Sequence, residues 1–313
     1  MKNWLGLRDS LARIYDRAYL HSNRLRLERW VVKLGVAGFL LHLALVFLSR
    51  TLPHPPALLI AAGSNYLSAI STPFTVILFY EVLVLIAALP ESMAQSVANQ
   101  FEIVSLIFLR GFFKDLADID DIGKFRQSFS EMLPVVTDVC AALLMFLLVT
   151  VFQHVSLRRR RADAGNGQST DVRNFVASKK AIALALTVWL VALTFYTLAE
   201  FGHDSYNVVY HAAKAAPDLQ THFYTDVFSV MIFADVLILN LSLGVSDRYE
   251  QVFRNAAFVF ATILIRFSLT ADRPYGAPLA LLGMIFGILT MLIYTYNASM
   301  HSRFRDAHRN TAT

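Results

Sequence analysis

Residues 133 to 155 read LPVVTDVCAALLMFLLVTVFQHV, twenty-three residues whose only charge is Asp138, and runs of this kind recur along the chain. A helix of about 20 apolar residues crosses a hydrocarbon core of about 30 Å, and no water is available there to satisfy an open backbone. Repeated runs of that length leave one economical solution, an all-α polytopic membrane helix bundle. Composition agrees: 56% of the 313 residues are hydrophobic and 16% are charged, against about 25% charged in ordinary soluble domains.

Eight transmembrane helices are expected, at about 31 to 49, 73 to 89, 96 to 114, 133 to 155, 181 to 199, 227 to 245, 252 to 270 and 279 to 297. TLPHPP after the first of these breaks the helix, because prolines lack the backbone donor and restrict the residues before them. Residues 57 to 70 are apolar but short, and read as a surface or re-entrant piece before Pro73. Residues 1 to 30 form a basic amphipathic helix on the cytoplasmic side. Its apolar stripe is Trp4, Leu7, Leu11, Ile14 and Ala18, with Arg8, Arg13 and Arg17 off it, a pattern that suits anionic lipid at the membrane surface. The competing reading is packing against a protein partner or a second subunit.

Four arginines at 158 to 161 and the small, polar ADAGNGQSTDVRNFVAS mark 158 to 180 as a flexible cytoplasmic linker. That linker separates a first membrane half, 31 to 157, from a second, 181 to 297, with 298 to 313 as a cytoplasmic tail. With the N-terminus inside, 20 of the 28 Lys and Arg residues fall in inner segments and 6 in outer ones, Arg110 and Arg266 being within spans. The bias obeys the positive-inside rule, so both termini are expected in the cytoplasm, by default that of a bacterium. The net charge of +5 then concerns orientation rather than nucleic acid.

Charges inside spans cost about 2.5 to 3.5 kcal/mol each on insertion scales, so those present carry information. Four acids, Glu81, Glu102, Asp138 and Asp235, lie within spans, against two bases, Arg110 and Arg266. Arginine keeps its proton, so two of the acids lack a fixed basic partner and must be protonated, hydrated or paired with a mobile cation. Glu81 and Asp235 sit near the centres of spans two and six. The bland alternative has them neutral and hydrogen-bonded, or paired with Arg266 and Arg110 across helices. The third span bears a polar face of Ser92, Gln95, Asn99, Glu102, Arg110 and Lys114 at helical spacing, which should not face lipid. Asp138, just after Pro134, suits the free donors of a helix N-terminus, and Asn240 and Gln153 can bond across helices.

The charges also hint at a duplication into two four-helix halves. Glu81 precedes Arg110 by 29 residues and Asp235 precedes Arg266 by 31, at matching places in spans two, three, six and seven. Transporters built from repeats carry their sites between the halves. Letters outside these positions do not match, and Glu102 and Asp138 have no counterparts.

Other chemistries find little support. His203, His211, His222 and Asp226 in the outer loop could hold a metal, but their spacing matches no ligand motif, and an ordinary polar loop explains them better. His42 and His154 lie at different depths, so they do not form a haem pair. No Walker A, HExxH, GxSxG or CxxC pattern occurs, and no cofactor is implied. Gly283 and Gly287 permit close helix approach, more often within one chain than between chains, although a homo-oligomer is compatible with the sequence.

The expected function is therefore a transporter or channel-like protein for protons or small cations. Glu81 and Asp235 would be exchangeable carriers, Glu102 a gate or inner relay, and Arg110 and Arg266 would lower competing acid pKa values or bind an anionic solute. A non-transporting signalling, defence or scaffold subunit, recruiting a partner through residues 1 to 30, is the alternative. A lipid-modifying membrane enzyme ranks third.

Overall fold

The structure is a computed structural model that describes residues 2–53, 66–117, 129–163, 170–211, 219–244, 249–272 and 274–310. It is an all-α bundle, with helices α1 (Lys2–Ala18), α2 (His21–Thr51), α3 (Ser71–Ala88), α4 (Met93–Ala117), α5 (Phe129–Asp163), α6 (Thr170–His211), α7 (Leu219–Leu243), α8 (Tyr249–Thr270) and α9 (Gly276–Asn310). A 3-10 turn, Tyr66–Ile70, leads into α3. Among the described residues, α2, α5, α6, α7, α8 and α9 are the six helices long and apolar enough to cross a membrane. The chain is thus an integral membrane helix bundle.

Eight crossings were expected, and the two that fall short are the second and third. The apolar part of α3, Thr72–Ala88, is only 17 residues long. Helix α4 is long enough at 25 residues but polar along one side. Position explains why α4 need not be apolar: it stands between the two packing clusters of the bundle. Its Ile103 joins α1, α3, α6 and α7 around Leu85, Leu190 and Met231. Its Val97, Phe101 and Val104 join α5, α8 and α9 around Met145, Phe152, Phe258 and Met284. The rings of Phe101 and Phe152 lie 5.0 Å apart and those of Phe152 and Phe258 5.9 Å. Lipid is as apolar as these side chains, so close packing rather than water exclusion holds such contacts together.

Local signals account for the ends of α3 and α4. Pro73 sits in the first turn of α3, where its missing donor is harmless, and Pro90 follows the last turn. Ser92 then caps α4, its Oγ accepting the Gln95 amide at 3.3 Å. Ser followed by Gln three residues later is the sequence pattern of a capping box, of which the Ser92 half is formed while the Gln95 side chain donates to Asn99.

Gly283 and Gly287 serve packing within the chain. A Cβ on Gly283 would lie 3.0 Å from the Ala261 carbonyl oxygen, and one on Gly287 would lie 2.8 Å from the ring of Phe101. Helix α2 is peripheral, resting on α3 where Gly38 meets Thr72 and where His42 Nδ1 is 2.6 Å from Thr72 Oγ1.

Three further segments bear on what the sequence suggested. Helix α1 buries Tyr15, with Leu11 of the predicted stripe half-buried, Ile14 51% exposed and Ala18 exposed; the side chains of Trp4 and Leu7 lie outside the described residues. The hydroxyls of Tyr15 and Tyr19 decide the docked face. Tyr15 donates to the Ala87 carbonyl at 2.7 Å, and Tyr19 shares a 2.6 Å hydrogen bond with Thr187 of α6. The linker at 158 to 180 is helical through Asp163 and again from Thr170, because Ala, Arg and Lys continue a helix readily. Of the re-entrant piece at 57 to 70, residues 57–65 lie outside the described set and the remainder is the 3-10 turn.

Candidate functional site

Helix α7 carries Asp235 on its inward side, and α8 carries Thr262 and Arg266 four residues apart on one face. The three meet. Arg266 Nη1 is 2.7 Å from Asp235 Oδ2, and Thr262 donates its hydroxyl to the same oxygen at 3.1 Å. The side chains of Arg266 and Asp235 are 3% and 7% exposed, which places the pair in the low-dielectric interior. Arg266 Nη2 finds no hydrogen-bond acceptor among the described residues. Such a pair is held at a substantial desolvation cost.

Beside the carboxylate is a cavity of about 20 Å³, lined by polar Ser96 and Gln100 of α4, Asp235 and Thr262, and by apolar Leu89 and Met93 among others. A space of this size and polarity holds about one water molecule. The lining comes from the end of α3 and from α4, α7 and α8. Those are the second, third, sixth and seventh expected spans.

Lys179 completes the centre, and sequence reasoning missed it. Placed on sequence at the end of a cytoplasmic linker, it is 2% exposed in the structure. Its ammonium donates a hydrogen bond to the backbone carbonyl of Glu91, just beyond the C-terminal end of α3, and lies 5.5 Å from the Phe175 ring. Asp235 and Glu91 are the acids whose charges it feels. A lysine near a helix C-terminus is favoured by the carbonyl ends of the peptide dipoles. The available signal was positional: Lys179 is four residues before Ala183 on a face that is apolar from there on. A lysine at a helix end nevertheless resembles one that snorkels to water.

A second ion pair joins α3 and α4. Arg110 Nη2 donates to Glu81 Oε2, with side chains 12% and 10% exposed. The pairing of Glu81 with Arg266 and Asp235 with Arg110 does not occur. Each acid takes the arginine of the following helix, because adjacent helices bring their facing side chains together at equal depth.

The other candidates stand apart. Glu102 is exposed on α4 and accepts the Gln153 amide of α5. Asn99 bonds with Gln95 at 2.8 Å and with Glu91 Oε2 at 3.0 Å, so it stays beside the turn leading into α4. Asp138 is half-buried, its Oδ2 close to Gly111, the residue after Arg110. Asn240 is exposed on α7. Among the described residues no cluster of three metal-ligating side chains occurs. Asp226 is exposed, while the side chains of His203, His211 and His222 lie outside the described set.

Comparison of the chain with protein-family models, with curated proteins and with solved structures finds no match. The chemistry of the site therefore rests on its own geometry.

On the far side of the turn from α3 to α4 is an open cleft of about 310 Å³, lined by Tyr15, Asp16, Tyr19, Arg24, Glu91 and Lys180 among others. Lys180 Nζ is 2.6 Å from Asp16 Oδ1, which ties α6 to α1 at the cleft wall. Burial pushes the phenols of Tyr15 and Tyr19 above their ordinary range, and the charges of neighbouring Glu91 and Asp16 add to this for Tyr15.

Proposed function

We propose that the chain is a transporter or channel-like membrane protein for protons or small cations, with Asp235 as the exchangeable carboxylate. One observation carries this reading: a carboxylate deep in the bundle borders a water-sized cavity, to which Ser96, Gln100 and Thr262 add polar groups, where α3, α4, α7 and α8 converge. A buried carboxylate reached by a single water is chemically a proton acceptor. The cavity is too small for a hydrated metal cation, so the proton is the favoured ion.

In such a cycle, water in the cavity delivers a proton to the Asp235 carboxylate. The neutral acid no longer balances Arg266, whose guanidinium keeps its charge. A lone buried cation is unfavourable, which drives α7 and α8 apart or admits water until the proton leaves on the other side. Thr262 positions the carboxylate throughout. The Glu81 and Arg110 pair would play the equivalent part between α3 and α4. Glu102, held by Gln153 at the bundle surface, is an accessory relay.

Packing supports the four-plus-four duplication as part of this proposal. The third and fourth helices of one half, α4 and α5, rest on their counterparts α8 and α9. Both acid–arginine pairs join the second and third helices of a half. A two-fold axis along the membrane normal would produce both relations. The positive-inside bias supports cytoplasmic termini, and it survives moving buried Lys179 out of the inner count, which then falls from 20 to 19 against 6 outside. The exposed Ile14 and Ala18 side of α1, with basic Arg13 and Arg17 exposed beside it, suits contact with anionic lipid.

Reconstituted liposomes test the function. Purified protein should dissipate an imposed pH gradient, and Asp235→Asn should lower that rate at least tenfold per folded molecule. An unchanged rate in Asp235→Asn would remove Asp235 from the path. No proton, cation or solute flux in the wild type would leave the partner-recruiting reading, tested by copurification that depends on α1.

A further inference from the structure

Two spaces flank the turn from α3 to α4. Ala87, Pro90 and Glu91 face the cleft, whereas Leu89 and Met93 face the cavity beside Asp235. A single stretch of chain is the wall between them. Lys179 is fastened to that wall by its hydrogen bond to the Glu91 carbonyl; Lys180, the next residue, lines the cleft, and Asp235, whose charge acts on Lys179, lines the cavity.

From this juxtaposition we infer that Lys179 is the gate between cleft and cavity: its ammonium holds the turn from α3 to α4 shut, and releasing it opens Asp235 to the cleft.

The physical case has three parts. First, a lysine at 2% exposure is costly unless its charge is engaged, since an isolated buried ammonium is strongly disfavoured. Among the described residues its partners are one backbone carbonyl, the negative charges of Asp235 and Glu91, and the Phe175 ring. Second, the hydrogen-bond acceptor belongs to a four-residue turn, 89 to 92, between a helix ended by Pro90 and one capped by Ser92. Such a segment moves without unwinding either helix. Third, Lys179 senses the state of the cavity through Asp235. While Asp235 is ionised, the ammonium is attracted inward and the latch holds. Once Asp235 takes up a proton, that inward attraction goes, Glu91 alone is left to offset the buried ammonium, and its bond to the turn weakens. The acids that act on it, Asp235 on α7 and Glu91 on the turn, together with Arg266, which pairs with Asp235, and Lys180, which pairs with Asp16, are thereby linked in one gating unit.

This inference rests on the reading of Asp235 as part of a conduction path, and its test does not use flux. Ser96 lines the cavity and is 6% exposed. In protein with Cys140→Ser, which removes the chain's own thiol, Ser96→Cys reports access to the cavity. The probe is a charged, water-soluble methanethiosulfonate applied to protein in lipid nanodiscs, where both faces are reachable. With Lys179 intact, labelling should be slow. Lys179→Met should speed it at least tenfold, and Lys179→Arg, which can still donate to the Glu91 carbonyl, should keep it slow. Ala280→Cys, fully buried in the other packing cluster, must stay unreactive in the Lys179→Met protein.

Equal labelling of Ser96→Cys with and without Lys179→Met overturns the gate. So does labelling of Ala280→Cys in the Lys179→Met background, which would make Lys179 a general brace of the bundle. Gated labelling together with no flux in wild-type liposomes would sustain the latch and refute transport.

Discussion

Removing the charge of Asp235 is the sharpest perturbation this bundle offers. With side chains 7% and 3% exposed, neither Asp235 nor Arg266 has solvent to fall back on. Asp235→Asn takes away the counter-charge of an arginine that is already short of hydrogen-bond acceptors. Breaking a buried pair at one end costs about 3 to 5 kcal/mol, because the other charge remains buried and uncompensated. At about 1.4 kcal/mol per factor of ten, that is roughly a hundred- to several-thousand-fold shift toward the unfolded state. Replacing both partners, as Asp235→Leu with Arg266→Met, leaves no orphan charge, and should recover the wild-type value or exceed it by about 1 to 4 kcal/mol. Denaturation of purified protein in mixed micelles by increasing sodium dodecyl sulfate, followed by circular dichroism, measures all three. If the single variant is as stable as wild type, or the double variant is worse than the single, the pair is not dry and the reasoning about its electrostatics fails. The same arithmetic ranks the pairs, with Glu81→Gln expected to cost less than Asp235→Asn because Glu81 and Arg110 are more open at 10% and 12%.

Gly287→Leu would drive a side chain into Phe101, since even a Cβ there lies 2.8 Å from the ring, and should cost about 1 to 3 kcal/mol of stability by overpacking; an unchanged micellar denaturation midpoint would contradict the close approach of α9 to α4. Glu102→Gln, at an exposed position, should shift that midpoint by no more than about 0.5 kcal/mol, and a loss of about 2 kcal/mol would show that another molecule covers this face. The phenols of Tyr15 and Tyr19 are held above their ordinary value of 10.0. The stability they supply is complete below pH 10.0, where both are protonated in either state, and is lost as pH climbs above it because the unfolded chain ionises first. Thermal unfolding followed against pH should therefore show a fall above pH 10.0 that Tyr15→Phe with Tyr19→Phe flattens; a fall of equal steepness in that double variant would place the titration elsewhere.

Helical content and relative height along neighbouring helices were legible in the residues themselves. Apolar run lengths set the helices, and a rise of 1.5 Å per residue put Glu81 and Arg110, and likewise Asp235 and Arg266, at comparable heights. The spacing of Gly283 and Gly287 also revealed a close crossing, because absence of a side chain is a local property. Each of these is a one-dimensional fact about a helix. Azimuth is different: which way a helix is rotated depends on all its neighbours at once. Hence only the assembled bundle decided that each acid takes the arginine of the next helix, that Glu102 turns to the bundle surface while Ser96 and Gln100 turn inward, and that α1 docks through its tyrosines. Lys179 shows the division most plainly. Its charge and helical position are written in the chain, but its burial depends on a free carbonyl offered by a turn 88 residues away in sequence, and no local pattern encodes that meeting.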